Sequence, residues 1–338
     1  MAKRYRRQAA SYELRNRLGR GGFAEVWRAS QRSSLFERDV CIKRVRSLDA
    51  GVRRAILEEA RLLAKLSHGN IISLFDVTED DHGRIELVLE YIPGPNLAEL
   101  ERDLAAHGIL PSAKLVAAVG SGVASALAAL AELEGGVVHR DISPQNVMLG
   151  VDGRLKLIDL GIARSQAREA WTASGVIKGK ASYLSPEQAR AELLGPQSDV
   201  FALGVMLFEL ASGAHPWGAP TRGRMRRVSK GDPPLRLKAL RPDLPDGLAD
   251  VIHRLLNAQS DRRPRGAHLV AELQGCLGRW LSVSEQSEEV RRWACRALPT
   301  TAALDDAATD VRALTAYTSP PTLEITVSSS PAQPADQA

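Results

Sequence analysis

The chain has 338 residues, 44% of them hydrophobic and 25% charged, with 45 basic and 40 acidic side chains. That balance excludes a wholly disordered chain, and the length accommodates about two domains or one large two-lobed one. Three cysteines, Cys41, Cys276 and Cys295, are too few and too scattered for a disulfide framework and read as free thiols of a reducing compartment.

The first eleven residues form a basic extension (Lys3, Arg4, Arg6, Arg7) with no apolar run behind it, so no secretory signal is expected. From residue 12 the pattern turns β-rich. Residues 14–18 precede Gly19-Arg20-Gly21-Gly22, and residues 23–29 and 40–45 follow as two further strands. Residues 53–66 carry helical periodicity. Residues 71–77 and 84–91 then read as two more strands around a polar turn.

After Pro93-Gly94-Pro95 the pattern changes to helices, over 97–106, 113–133, 199–211, 247–258 and 266–279. Short β runs at 147–149 and 155–158 interrupt them around the turn Asp152-Gly153. A small mainly-β lobe with one helix thus precedes a larger mainly-α lobe, an α+β architecture with a hinge near 90–94. The stretch 115–133 is long enough to span a bilayer. Its Ala, Gly and Ser content and Glu132 favour a buried core helix instead.

A second basic cluster, Arg222, Arg224, Arg226, Arg227 and Lys230, comes without any nucleic-acid motif and reads as a solvated surface. Residues 285–298 place Val290, Trp293, Ala294 and Leu298 on one stripe, suited to docking on the large lobe. Residues 299–338 are rich in Thr, Ser, Ala and Pro, and five acids against one base give them −4, leaving +9 for the rest. This tail is expected to be disordered.

Four groups of residues carry chemical information. Gly19-x-Gly21 is followed by the strand-like Glu25-Val26-Trp27-Arg28 rather than a helix, which disfavours a dinucleotide fingerprint. A glycine hairpin of this kind can lay backbone N–H groups over phosphates, though a plain hairpin fits equally well. Lys43 lies inside a β run and shares a face with Cys41. A buried ammonium needs an anion, and Glu59 is the acid facing it, since it shares a stripe with Ile56 and Leu63 while Glu58 lies with Arg54, Arg61 and Lys65. A purely structural ion pair satisfies the same pattern.

The third and fourth groups are more specific. His139-Arg140-Asp141-Ile142-Ser143-Pro144-Gln145-Asn146 puts Asp141 and Asn146 five apart in a loop between helix and strand. Leu155-Lys156-Leu157-Ile158-Asp159-Leu160-Gly161 puts a second acid at a strand end. Oxygen ligands from Asn146 and Asp159 suit Mg²⁺, and Asp141 is left to orient a hydroxyl nucleophile.

Taken in order, these motifs resemble the protein kinases. The glycine run to Val26, Val40-Cys41-Ile42-Lys43, Glu59, His139-Arg140-Asp141 with Asn146, Asp159-Leu160-Gly161, Ser185-Pro186-Glu187, Asp199 and Arg263 follow the family's sequence over about residues 12–280. The wording Tyr183-Leu184-Ser185-Pro186-Glu187-Gln188 is similar to bacterial, eukaryotic-like (Hanks-type) serine/threonine kinases. The resemblance implies a two-lobed kinase fold, ATP with Mg²⁺ or Mn²⁺ as cofactors, protein substrates and a cytoplasmic location. It implies neither a membrane nor a specific nucleic-acid partner, and leaves the oligomeric state open.

By the same resemblance, Leu18, Gly19, Arg20, Gly21 and Gly22 cover ATP. Lys43, held by Glu59, contacts its α- and β-phosphates. Val26, Cys41, Met148 and Ile158 line the adenine, Leu89 is the gatekeeper, and the backbone of Glu90 to Ile92 bonds the base. Asn146 and Asp159 hold the metal, and Asp141 is the catalytic residue that accepts or orients the substrate hydroxyl. Arg140, Glu187, Asp199 and Arg263 are scaffold groups.

The chain departs from the family pattern in four places. Ala24 stands for the third glycine and Leu160 for the Phe after the metal Asp. Ser143 stands where a catalytic-loop lysine is usual, and Lys180 where a Thr is usual. The last two suggest a swap in which Lys180 supplies the missing ammonium beside Asp141, with Ser143 as its hydroxyl partner. Arg140 before Asp141 suggests activation-loop phosphorylation, with Thr172 and Ser174 as the foremost acceptors. The expected activity is serine/threonine protein phosphorylation. A pseudokinase scaffold is the alternative, with Ser143 as its chief support.

Overall fold

A computed structural model describes residues 11–20, 24–160, 181–219 and 222–298. The amino-terminal extension, the tail, Gly21, Gly22, Thr172, Ser174 and Lys180 lie outside the described residues.

Five strands, β1 (Ser11–Arg20), β2 (Ala24–Arg32), β3 (Glu37–Val45), β4 (Leu74–Glu79) and β5 (Ile85–Glu90), form one antiparallel sheet ordered β1-β2-β3-β5-β4. Period-two alternation gives the sheet two apolar faces. Val40, Ile42, Ala29 and Val88 form a small cluster on one side with Tyr12 and Leu14 against it. Val45, Ile85, Leu87 and Leu89 join the main core on the other, with Cys41 packed beside them. Helix α1 (Ala50–Lys65) crosses this second face, presenting Ala55, Ile56, Glu59, Ala60 and Leu63. It is started by Asp49, whose carboxylate accepts the N–H groups of Gly51 and Val52.

The strand expected over 71–77 begins only at Leu74. Ile71 and Ile72 are drawn instead onto the second lobe, where Ile71 bridges Leu157 and the Ile72 N–H donates to the Leu157 carbonyl at 3.0 Å. Their apolar side chains are buried by a partner the sequence does not adjoin.

The larger lobe contains α2 (Leu97–His107), α3 (Ala113–Ala131), the hairpin β6 (Val147–Leu149) and β7 (Leu155–Leu157), α4 (Pro186–Ala189), α5 (Pro196–Ser212), α6 (Arg222–Lys230), α7 (Leu237–Leu240), α8 (Asp246–Leu255), α9 (Gly266–Gly275) and α10 (Val283–Ala297). The apolar residues of α3 and α5 run round most of their circumference because both helices are central. Helix α3 is long and apolar enough to cross a membrane, yet 72% of its most apolar window is buried inside the protein. Gly204 lets α5 approach α8, since a Cβ there would sit 2.7 Å from that of Leu255.

Two further expectations are corrected, and one element was not foreseen. The helix expected over 266–279, α9, stops at Gly275, because the chain turns back at Gly278, whose φ is 76°, and the Leu281 N–H closes on the Gln274 carbonyl. Leu298 leaves the docking stripe: α10 buries Val290, Trp293 and Ala294, but ends at Ala297, and Leu298 is extended and exposed. The basic cluster at 222–230 is a helix, α6, which periodicity did not reveal because only Met225 and Val228 among its nine residues are large and apolar.

Candidate active site

The cleft between the lobes is framed by the inner face of the sheet. Cross-strand register aligns Gly19 with Val26, Val26 with Lys43 and Lys43 with Leu87, in one row over four strands. Cys41 faces Leu89 one pleat further on. Residues opposite each other in a ladder share a face, so Val26, Cys41, Lys43 and Leu89 line one wall. Leu18 at the edge is exposed, whereas Leu89 is buried. Arg20 pairs with Glu25 across the hairpin at 3.5 Å. The packing around Cys41 pushes its thiol up to about 12, so at neutral pH it is an uncharged wall residue and not a thiolate.

Lys43 is the central cation. Its Nζ donates to Glu59 Oε1 at 2.8 Å, Glu59 Oε2 at 3.1 Å and Asp159 Oδ1 at 3.1 Å. Burial pulls its pKa down, but Asp159 and Glu59 together outweigh that pull and hold it above the ordinary lysine value. Glu59 is all but inaccessible on the inner stripe of α1. The three groups come from β3, α1 and the segment after β7, so this contact joins both lobes.

Asp141 and Asn146 belong to the loop between α3 and β6. The Asn146 amide donates to the Asp141 carbonyl at 2.7 Å and to its carboxylate Oδ2 at 2.9 Å. A short 3₁₀ turn over Pro144–Asn146 produces this closeness: the Asn146 N–H bonds the Ser143 carbonyl, and the Ile158 N–H bonds the Asn146 carbonyl. Asp141, Ser143 and Asn146 are all buried.

Two non-glycine residues here have left-handed backbone, Arg140 with φ 64° and Asp159 with φ 63°. Each costs of order 1 kcal/mol and persists only where the surroundings dictate it. At Arg140 the dictating group is Asp199 of α5, whose carboxylate oxygens accept the N–H groups of His139 at 2.7 Å and Arg140 at 2.8 Å. Complete burial pushes the Asp199 carboxyl up to about 7, even though both N–H bonds pull it down. Strain at the loop is thus held from the rigid helix beneath.

Glu187 and Arg263 form a second buried pair, bonded at 2.7 and 2.9 Å through two parallel contacts. Ser198 donates to the same carboxylate at 2.8 Å, and the guanidinium stacks over Phe201 at 4.9 Å. Nearby, the Tyr183 hydroxyl donates to Glu209 at 2.6 Å.

The structure therefore brings Lys43, Glu59 and Asp159 into contact, joins Asp141 to Asn146, and seats Arg140 on Asp199. Ile92 is buried in the main core, and Met148 and Ile158 pack against it. Sequence reasoning passed over Arg154 and Lys156. Lys156 lies in the β run Leu155-Lys156-Leu157 and is nearly inaccessible, so the argument applied to Lys43 would have found it: a lysine inside a strand needs an anion.

The residues fit a nucleotide with a hard divalent cation. Among the described residues no three His, Cys, Asp or Glu side chains cluster as a ready-made metal cage. With its NH₂ group bonded to Asp141, Asn146 would offer its amide oxygen to a cation, and Asp159 would add a carboxylate. That all-oxygen, incomplete set suits Mg²⁺, whose remaining positions go to water and phosphate oxygens.

A family model described as protein kinase domain matches residues 12–273. Tyrosine-protein kinase MasK of Myxococcus xanthus is 32% identical over 287 residues, covering 81% of this chain and 44% of MasK. Serine/threonine-protein kinase PksC of Streptomyces coelicolor is 34% identical over 261 residues, 75% of this chain and 46% of PksC. The DNA damage-responsive serine/threonine-protein kinase RqkA of Deinococcus radiodurans is 33% identical over 269 residues, 78% of this chain and 39% of RqkA. The chain spans less than half the length of these relatives.

Proposed function

The chain belongs to the protein kinase family, and from that membership we propose that it is a bacterial Hanks-type enzyme transferring the γ-phosphoryl group of ATP to Ser or Thr hydroxyls of proteins. The observation that carries the proposal is the joining of both lobes through Lys43, Glu59 and Asp159 beside a buried Asp141–Asn146 pair. Of the relatives named above, MasK carries a tyrosine-kinase name, so the choice of hydroxyl is part of the proposal. Its extents are a basic extension over 1–11, a catalytic domain over 12–280, a segment 281–298 that contains α10, and an acidic tail over 299–338.

ATP supplies the phosphoryl group, and a divalent cation, Mg²⁺ or Mn²⁺, supplies positive charge at its phosphates. The glycine hairpin, with Leu18, Gly19, Arg20, Gly21 and Gly22, closes over that end of the cleft, and Val26, Cys41, Met148 and Ile158 wall the adenine. Leu89 limits its depth, and the backbone of Glu90 to Ile92 faces it. Lys43 stays cationic because two carboxylates hold it so, and its ammonium orients phosphate oxygens. Asn146 and Asp159 would hold the cation. Asp141 accepts a hydrogen bond from the attacking hydroxyl and fixes its direction. Such positioning and preorganised charge are the main sources of rate in phosphoryl transfer.

Lys180 stands in for the catalytic-loop lysine displaced by Ser143, and Thr172 and Ser174 accept regulatory phosphate that pairs with Arg140. Free thiols at Cys41, Cys276 and Cys295 and the burial of α3 support a cytoplasmic location. Incubation with labelled ATP, Mg²⁺ and a generic protein substrate, beside Asp141→Asn, tests the activity. Label on Ser or Thr that disappears in Asp141→Asn is expected, and wild-type protein that binds ATP without turnover would establish the pseudokinase instead. For the lysine swap, Lys180→Ala with wild-type turnover would sink the idea.

A further inference from the structure

Behind the hinge lies a charge network that none of these roles uses. Glu90 closes β5 and turns its carboxylate away from the cleft, into a site where its side chain is 12% exposed. Two cations of β7 and its turn meet it there. Lys156 Nζ stands 3.1 Å from Glu90 Oε2 and donates to the Ile71 carbonyl at 3.1 Å. The Arg154 guanidinium bonds Glu90 Oε1 and holds Asp152 at 2.6 Å.

The same hairpin is stitched to the hinge through its backbone, the Val151 N–H donating to the Pro93 carbonyl and the Leu149 N–H to the Pro95 carbonyl, each at 2.9 Å. Helix α10, beyond the end of the family match at 273, braces the far side. Ser287 Oγ donates to the Gly153 carbonyl at 3.2 Å, and a Cβ on Gly153 would lie 2.5 Å from the Ser287 carbonyl oxygen. Helix α10 is itself fixed to α3 by Glu289, which accepts from Ser112 at 2.9 Å, and by Gln286, which accepts from Ser121 at 2.8 Å.

We infer that Arg154 and Lys156 are positioning residues for the nucleotide: they clamp the hinge carboxylate so that the backbone from Glu90 to Ile92 keeps one place against the adenine. The inference rests on the reading above that this segment receives the base. A buried carboxylate costs several kcal/mol unless paired, so removing either cation weakens the hold on Glu90 and lets the hinge shift. Backbone groups that read a ligand must be held to about 0.5 Å. The reacting groups, Lys43, Asp141 and Asp159, lie elsewhere in the cleft and keep their contacts. The consequence is a split, with nucleotide binding weakened and chemistry spared.

The test compares the full chain with Arg154→Gln, Lys156→Met and Lys156→Arg, measuring ATP affinity by calorimetry and then kcat and KM with a protein substrate. In Arg154→Gln and Lys156→Met the Kd and KM for ATP should rise about five- to tenfold with kcat within about twofold, and Lys156→Arg should restore affinity. Should Lys156→Met fail to fold, Arg154→Gln, at a half-exposed residue, carries the same prediction. Affinity within twofold of wild type in the folded variants, or a fall in kcat alone, overturns the inference even if the melting temperature drops. Wild-type protein that binds no ATP overturns the nucleotide reading, and this inference with it.

Discussion

Replacing Arg263 by Met should destabilise the large lobe by about 3–5 kcal/mol at pH 7, because it strands a buried carboxylate. The side chains of Arg263 and Glu187 are 0% and 8% exposed, so water does not replace the lost partner. The carbonyls of Gln197 and Asn257, which accept from the guanidinium at 2.7 and 2.8 Å, lose a donor as well. Burial pushes the Glu187 carboxyl up, yet the Arg263 hydrogen bonds and charge outweigh it and bring its pKa from 4.5 down to about 2. That depression corresponds to about 3 kcal/mol, in line with the cost of stranding the acid. Because the folded value is depressed, this stability is fully present above the ordinary carboxylate range and drains away as pH falls through about 2. Urea unfolding of wild type, Arg263→Met and Glu187→Gln at pH 7 and pH 3 measures it. The gap between wild type and Glu187→Gln should shrink by about half between those pH values. A gap independent of pH, or an Arg263→Met variant within about 1 kcal/mol of wild type, refutes the reasoning.

Lys43→Met should lower kcat/KM by at least about a hundredfold and, by stranding Glu59, also lower the urea midpoint; phosphotransfer assays and unfolding read the two losses separately. Gly94→Ala should disrupt the hinge, since φ there is 152° and a Cβ would overlap the Leu149 carbonyl; calorimetric ATP titration should show weakened binding. Gly204→Ala should cost about 1–3 kcal/mol by forcing α5 off α8, seen as a lower melting temperature with unchanged nucleotide affinity. With its thiol raised to about 12, Cys41 should resist iodoacetamide at pH 8 while the exposed Cys295 is alkylated, a difference that peptide mass spectrometry reports.

Much of this protein is determined locally and was legible from the residues in order. Alternation of two and of 3.6 separated the β-rich lobe from the helical one, because side-chain direction follows from backbone geometry alone. The same logic identified Glu59, and not Glu58, as the acid facing Lys43, and placed Asp141, Asn146 and Asp159 in loops at strand ends. What failed was whatever depended on a distant neighbour. Ile71 and Ile72 look like strand residues but are claimed by β7, and Leu298 looks like part of a docking stripe but follows the end of its helix.

Only the tertiary structure decided which charges meet. Asp159 reaches Lys43 across the cleft, Asp199 of α5 supports the strained Arg140, and Arg154 and Lys156 converge on Glu90 from a hairpin more than sixty positions away in the chain. Electrostatic partnership acts through space with a strength set by burial, and burial belongs to the folded whole. The chain by itself determined which groups are present and which way they point along each element. The packing of the two lobes determined which of them are paired, and therefore which are charged.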